Sequence, residues 1–191
     1  MKDDASMGYD GIAEEFMAAR STSGSTLVRA WAKSLPAGSS IVDVGAGFGE
    51  PLTSVLIAER LSVYAVDASP TLVKAFRGRF PNIRITCETA EDSRFFDRSF
   101  NAALMVGLIF LLPQKRQEAL IHRLSQILEP EGRLLFSAPQ QICAWKDALT
   151  HRTSQSLGEE EYERLLQNTG FELLDTHMDE MGTHYYEARR I

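Results

Sequence analysis

The sequence predicts an α/β domain in which helices cover a mostly parallel sheet that ends in an antiparallel strand. Three observations carry this. From residue 24 onward, short apolar runs alternate with helix-period patterns, as in strand–helix–strand units. In Val42-Asp43-Val44-Gly45-Ala46-Gly47-Phe48-Gly49, a β-branched run carrying an acid leads into glycines at alternate positions. Finally, 171–178 and 183–189 read as two strands joined only by a turn at Met181-Gly182, a connection too short for a parallel crossover.

In order, Ile41 to Val44 is a short buried strand. Pro51 follows the glycine loop and suits the first turn of a helix, where a missing N–H is tolerated, and that helix is expected to run to about Arg60. Val63 to Val66 is the second strand, and Ser69-Pro70 opens a helix with Ser69 as its cap. Ile83 to Cys87 is the third strand, and Ala102 to Val106 the fourth. A long amphipathic helix starts at Pro113, with Leu120, Leu124, Ile127 and Leu128 on one face. Pro130-Glu131-Gly132 is a turn before the fifth strand, Arg133 to Ser137. The segment Pro139 to Leu157 is long for a connection, so it is either partly helical or a flexible lid. Another helix, Glu159 to Asn168, is closed by Gly170. Ahead of the sheet, Ile12, Phe16 and Ala19 mark one face of a helix over Tyr9 to Arg20, and the Ser/Thr-rich stretch 21–26 is expected to cap the next helix. Tyr185-Tyr186 alternate across a strand, which predicts one ring in the core and one exposed. No repeat, low-complexity tract or linker divides the chain. The organisation expected is one domain, with a helical cap over 1–35, a binding core over 36–138, the lid over 139–157, and a helix with an antiparallel strand pair over 158–191.

Composition bounds the function. With 191 residues, 44% hydrophobic and 24% charged, the chain suits one globular domain. No apolar stretch approaches the roughly 20 residues of a membrane-spanning helix, and Met1-Lys2-Asp3-Asp4 leads into no signal core. Two distant cysteines, Cys87 and Cys143, read as reduced thiols, one buried in a strand, in a cytoplasmic protein. A net charge of −6 argues against nucleic acid, and the basic runs at Arg77, Arg79 and Arg84 and at Lys115 and Arg116 read as solvated helix faces.

The glycine loop carries the chemistry. Glycines between a strand and a helix let backbone approach a ligand with no Cβ in the way. Twenty-four residues after Asp43, the next strand also ends in an acid, Asp67. Strand, loop, helix, strand and acid together describe a pocket for a nucleoside-bearing cofactor. The dinucleotide fingerprint G-x-G-x-x-G places pyrophosphate at the helix N-terminus. Here the third glycine comes early, at Gly49, and Glu50 stands where the fingerprint has glycine. Glu50 and Asp43 would repel pyrophosphate, whereas both suit a cationic, phosphate-free ligand such as S-adenosylmethionine, with its ammonium and sulfonium.

With these residues the sequence resembles the class I S-adenosylmethionine-dependent methyltransferases, in particular the small-molecule group with a general methyltransferase domain. Asp43, Gly45, Gly47 and Gly49 match the first motif, E/D-x-G-x-G-x-G, and Asp67 matches the acid that holds the ribose hydroxyls. Thr89-Ala90-Glu91 stands at the adenine-recognition pair, without the usual Asp. The fourth motif matches Leu104 to Leu112, and the fifth matches the run from Leu128 to Leu134. Tyr9-Asp10 and Arg20 match an N-terminal Tyr-Asp and a downstream Arg. The resemblance covers nearly the whole chain. It implies a Rossmann-like three-layer sandwich with a mostly parallel seven-stranded sheet and an antiparallel C-terminal strand. It also implies cofactor contacts from Tyr9, Arg20, Asp43, Gly45, Ala46, Gly47, Gly49, Asp67, Ala68, Thr89, Ala90, Glu91, Val106 and Gly107.

One departure concerns catalysis. Many relatives place histidine just after the fourth strand, where this chain has Phe110 and Leu111 in an apolar run, Leu108 to Leu111. Methyl transfer is an in-line displacement that positioning alone can accelerate, so no catalytic residue is assigned. His122 reads as a helix-surface residue and His151 falls in the lid. His177 and His184 approach the carboxyl edge of the sheet, where ligands bind in this class. With Asp179 and Glu180 they straddle a turn without metal-ligand spacing, so no metal is expected. Tyr9 suits either cofactor cover or core packing, Arg20 either the cofactor carboxylate or solvent, and Trp145 either a flat acceptor or anchorage of the lid. The leading expectation is methyl transfer from S-adenosylmethionine, giving S-adenosylhomocysteine, to a small organic acceptor, with no nucleic acid or membrane partner. The alternatives are a non-catalytic S-adenosylmethionine-binding protein and, disfavoured by Glu50, a nicotinamide-dependent oxidoreductase.

Overall fold

The computed structural model describes residues 4–191; the reading of Met1-Lys2-Asp3 lies outside them. After a 3-10 turn at Tyr9–Ile12, the order is α1 (Ala13–Ala19), α2 (Ser25–Ser34), β1 (Ser40–Val44), α3 (Leu52–Ala58), β2 (Ser62–Asp67), α4 (Pro70–Arg79), β3 (Arg84–Cys87) and β4 (Phe100–Met105). There follow α5 (Gln114–Ile127), β5 (Leu128–Ser137), β6 (Cys143–Lys146), β7 (Thr153–Ser156), α6 (Glu159–Asn168), β8 (Phe171–Met178) and β9 (His184–Arg190). Seven strands form one sheet in the order β3-β2-β1-β4-β5-β9-β8. Its first five are parallel, and β9 runs antiparallel to both β5 and β8.

Two packed layers cover the sheet. On one face Val42, Ala103, Leu134, Phe136 and Tyr186 meet Leu120 and Leu124 of α5 and Tyr162 and Leu166 of α6. On the other, Ile41, Val63, Leu104 and Tyr185 meet Val28 and Trp31 of α2 and Val55 and Leu56 of α3, while Ala65 and Ile85 meet Val73 and Phe76 of α4. β1 is buried along its whole length, as a strand covered on both faces must be. The architecture is therefore the expected Rossmann-like three-layer sandwich, with strand order reversing between β1 and β4.

Several local expectations are corrected. Tyr185 and Tyr186 are both buried, because β9 lies between β5 and β8 with helices against each of its faces. Pro51 stands just outside α3 as its N-cap, and that helix ends at Ala58 rather than Arg60. Gly24, left-handed at φ 78°, occupies the N-cap of α2, and no Ser or Thr side chain caps that helix. Cys87 and Cys143 lie in strands but both are exposed, because β3 is a sheet edge and β6 belongs to a two-stranded ribbon. That ribbon, β6 paired antiparallel with β7, occupies the segment 139–157, which holds no helix. Ser69 caps α4 as expected, its hydroxyl accepting the Leu72 N–H at 3.1 Å.

Candidate active site

Every parallel strand delivers its last residues to one edge of the sheet, and the edge opens into a cavity of about 450 Å³ at the strand-order reversal. The loop after β1 forms its floor. Gly45 and Ala46 donate their N–H groups to the Val66 carbonyl at 2.8 and 3.2 Å, which folds the loop back against β2. Gly45 has φ 76° and Gly47 φ 58°, conformations that side-chain-bearing residues rarely adopt. A Cβ on Gly45 would press Leu108 at 3.1 Å, so glycine there keeps the loop against the turn after β4.

Two acids line this cavity, Asp43 buried and Asp67 half-buried. Asp67 at the end of β2 is tied on both oxygens: Oδ2 accepts the Gly47 N–H and Oδ1 the Ser69 N–H, each at 2.8 Å. Burial raises its pKa, and these two N–H groups offset part of the rise. Asp43 in β1 accepts the Thr53 hydroxyl at 2.6 Å. Burial pushes Asp43 up to about 6; the Thr53 bond and Arg20 pull downward, and the Asp67 charge pushes upward. Arg20 lines the cavity and donates its Nε–H to the Glu50 carbonyl at 3.4 Å.

The N-terminal segment closes one side. Tyr9 packs edge-on against Phe16 at 5.3 Å, and Phe16 against Phe48 of the glycine loop at 6.1 Å. Asp10 accepts the Ser69 hydroxyl at 2.6 Å and the Thr71 N–H at 2.9 Å, placing a carboxylate at the N-terminus of α4, where the helix dipole favours it. The tip of the β6–β7 ribbon approaches from across the cavity. The Tyr9 hydroxyl donates to Asp147 Oδ2 at 3.1 Å, and Arg152 pairs with Asp4 at 3.0 Å.

Residues 41–132 match the family model described as "Methyltransferase domain". The match covers just under half of the chain. An uncharacterized methyltransferase of Mycobacterium tuberculosis is 33% identical over 94 residues, 49% of this chain and 37% of that relative. A Mycobacterium bovis counterpart matches to the same extent, 33% over 94 residues. The matched stretch thus spans little more than a third of the curated relatives. Among solved structures, the magnesium protoporphyrin IX methyltransferase of Synechocystis with bound S-adenosylmethionine superposes at TM-score 0.69 and 19% identity, over 98% of this chain and 82% of that one. The 1,6-didemethyltoxoflavin-N1-methyltransferase of Burkholderia thailandensis, bound to its acceptor and S-adenosylhomocysteine, superposes at TM-score 0.75 and 19% identity, over 98% and 85%.

Of the residues singled out from sequence, Tyr9, Arg20, Asp43, Gly45, Ala46, Gly47, Asp67, Ala68, Thr89, Ala90, Glu91, Val106 and Gly107 all line the cavity. Gly49 does not. It has φ 90°, and a Cβ there would meet the Phe76 ring at 3.0 Å and run into Phe80, so its glycine serves the packing of α4. Of the apolar run after β4, Leu108, Phe110 and Leu111 line the cavity with Leu112, while Ile109 is buried in the core. Arg116, read from sequence as a solvated helix residue, lines the cavity and pairs with Glu91. Asp92 accepts the Thr89 hydroxyl at 2.9 Å and lies outside the lining.

Sequence reasoning also missed Met7, Phe16, Glu88 and Asp147 as lining residues. Asp147 had no signal, since it sits in a segment without periodicity. Burial pushes its pKa upward, but the Thr150 and Leu149 N–H groups and the Thr150 and Tyr9 hydroxyls outweigh this and hold it low. His177 pairs with Glu187 at 2.8 Å on the sheet, and His122 faces Gln126 at 3.0 Å on an exposed helix surface. Among the described residues no group of three or more His, Cys, Asp or Glu is placed to hold a metal.

Proposed function

We propose that the chain transfers the methyl group of S-adenosylmethionine to a small organic acceptor, releasing S-adenosylhomocysteine. The observation that carries this reading is the pair of acids, buried Asp43 and half-buried Asp67, lining one cavity of about 450 Å³ beside a left-handed glycine loop. Two carboxylates suit a ligand that brings an ammonium and ribose hydroxyls and would repel one that brings phosphate. When bound, S-adenosylmethionine supplies an electrophilic methyl group on a sulfonium. Asp67 holds the ribose hydroxyls with the lone pairs left free by Gly47 and Ser69, and Asp43 faces the ammonium. Arg20 faces the carboxylate, as a guanidinium suits. Ala90 and Glu91 flank the adenine. Leu108, Phe110, Leu111 and Leu112 keep water from the reacting atoms and align the acceptor, which supplies most of the acceleration in such a displacement. Residues 1–35 act as a cap, 36–138 as the cofactor-binding core, 139–157 as a lid and 158–191 as the far wing of the sheet. The solved neighbours' acceptors include a magnesium porphyrin, a toxoflavin precursor and a glycopeptide, which supports a small-molecule acceptor as a class and no single compound. Two unpaired cysteines support a cytoplasmic location.

Calorimetry tests the reading. The expected result is micromolar binding of S-adenosylhomocysteine, lost in Asp67→Ala; a wild-type protein that binds neither form of the cofactor overturns it. The apolar floor, with no histidine after β4, also suits a protein that binds the cofactor without turnover. Incubation with methyl-labelled cofactor and a metabolite extract separates the two, because only the enzyme yields a labelled product.

A further inference from the structure

No α-helix joins β3 to β4. The connection holds a tight turn, Phe95–Asp97, left-handed throughout at φ 46°, 59° and 52°. On the α5 side of the sheet, Tyr64 of β2 is therefore covered by side chains. Arg84, its neighbour in β3, lies over the Tyr64 ring at 5.7 Å and over Phe96 at 5.1 Å. Arg98 lies over Tyr64 at 4.6 Å and over Phe100 at 5.2 Å, and donates to the Tyr64 hydroxyl. Both arginines are exposed, with Tyr64 and Phe96 half-buried beneath them.

Two further arginines flank this stack. Arg77 donates to the Ile85 carbonyl at 3.2 Å, and Arg123 donates to the Ser93 carbonyl at 3.2 Å while lying over Phe95. Among the described residues, none of these four guanidiniums pairs with a carboxylate. Asp97, the acid of the turn, is taken by Arg94. Acids are not scarce, since the chain carries 26 Asp and Glu against 20 Lys and Arg. Arg29, Arg79, Arg133, Arg152 and Arg164 each have one as partner. The cluster at β3 is thus a local excess of positive charge on an acidic protein.

We propose that this face docks an acidic, extended segment of a partner protein, its carboxylates pairing with Arg84 and Arg98 and reaching Arg77 and Arg123. A guanidinium stacked on a ring is held in plane, and its N–H edges remain free to take a carboxylate bidentately. Arg77 covers a carbonyl of the edge strand β3, so docking proceeds through side chains rather than by strand addition. Local charge selects the occupant. Nucleic acid needs a broad basic face, and with these four charges set aside the rest of the chain is more acidic than its net −6. A short acidic segment ends where the patch ends. Arg84 opens β3 and Arg98 precedes β4, which puts the stack at the amino edge of the sheet, and neither lines the cavity at the carboxyl edge. Docking here leaves that cavity open and holds whether or not the cavity transfers methyl groups.

Fluorescence anisotropy of the full chain with fluorescein-labelled octaglutamate tests this. The peptide is expected to bind at about 0.05 M salt and to weaken at least about tenfold at about 0.5 M. Arg84→Gln with Arg98→Gln weakens low-salt binding at least about tenfold. Arg84→Lys with Arg98→Lys keeps the charge, loses the planar stack, and weakens it about threefold or more. Arg164→Gln, on α6 and paired with Glu161, leaves it within about twofold. If the Gln pair abolishes the cooperative melting transition, Arg84→Gln alone decides, with an expected weakening of about threefold. No binding of octaglutamate at low salt, binding unchanged in the deciding Gln variant, or an equal loss in Arg164→Gln overturns the proposal. Lysine variants that bind as tightly as wild type overturn it in favour of a solvated basic face only. Octauridine RNA bound more tightly than octaglutamate overturns it in favour of nucleic acid.

Discussion

Asp43 destabilises the protein that its site requires. Its folded pKa of about 6 lies above the ordinary 3.8, so the folded state holds this proton more tightly than the unfolded chain does. Stability from this group is therefore greatest below about pH 4 and declines as pH rises toward and through 6, by about 3 kcal/mol in total. Three outcomes follow at this one residue. Asp43→Asn, which keeps an acceptor for Thr53, raises the ligand-free melting temperature at pH 7.5 by several degrees, measured by calorimetric scanning. The same variant weakens S-adenosylhomocysteine at least about tenfold, because the ammonium loses its counter-charge. Wild-type affinity also climbs between pH 5 and 7.5 as Asp43 ionises, and the climb flattens in Asp43→Asn.

At the scale of elements, the glycine loop divides its labour. Gly45 and Gly47 face the cavity, and Gly49 faces α4. Gly49→Ala is expected to lower stability by about 2–4 kcal/mol in urea unfolding, from the left-handed backbone and the crowding by Phe76 and Phe80. At saturating ligand the folded variant keeps its affinity within severalfold. A motif read as one unit thus hides a packing residue among cavity-lining residues, because alternate spacing looks the same for both purposes. The parallel strands were legible because burial on both faces forces unbroken apolar runs, as in Ile41 to Val44. The β6–β7 ribbon was not legible. β6 has no buried residue and the buried positions of β7 are the serines Ser154 and Ser156, so no apolar alternation marks it, and its tip is organised by Asp147, whose Oδ1 accepts the Leu149 and Thr150 N–H groups at 3.0 and 2.7 Å. Arg116 was misplaced for a related reason: a helix period reports which face is apolar, and a polar residue at the cavity rim looks like one in solvent.

For the whole molecule, ligand binding and folding are coupled because the cavity is assembled from segments as distant in sequence as Ala5 and Ala148. Saturation with S-adenosylhomocysteine at about 100 times its dissociation constant stabilises by about 2.7 kcal/mol, an expected rise of about 5–10 °C in melting temperature by scanning fluorimetry. Tyr9→Phe removes only the bond to Asp147, and it is expected to speed dissociation of the ligand severalfold in stopped-flow displacement while leaving the melting temperature of the ligand-free protein within about 2 °C.

That bond also sets a schedule for synthesis. Tyr9 and Asp147 are 138 positions apart, and Asp4 and Arg152 are 148 apart. At translation rates of about 5–20 residues per second, Tyr9 waits roughly 7 to 28 seconds for its partner to be made. During that interval the residues of β1, β2 and the glycine loop are made, and those of the facing ribbon are not. On the ribosome, the segment that carries Asp43 and Asp67 is therefore made well before the residues that wall it in.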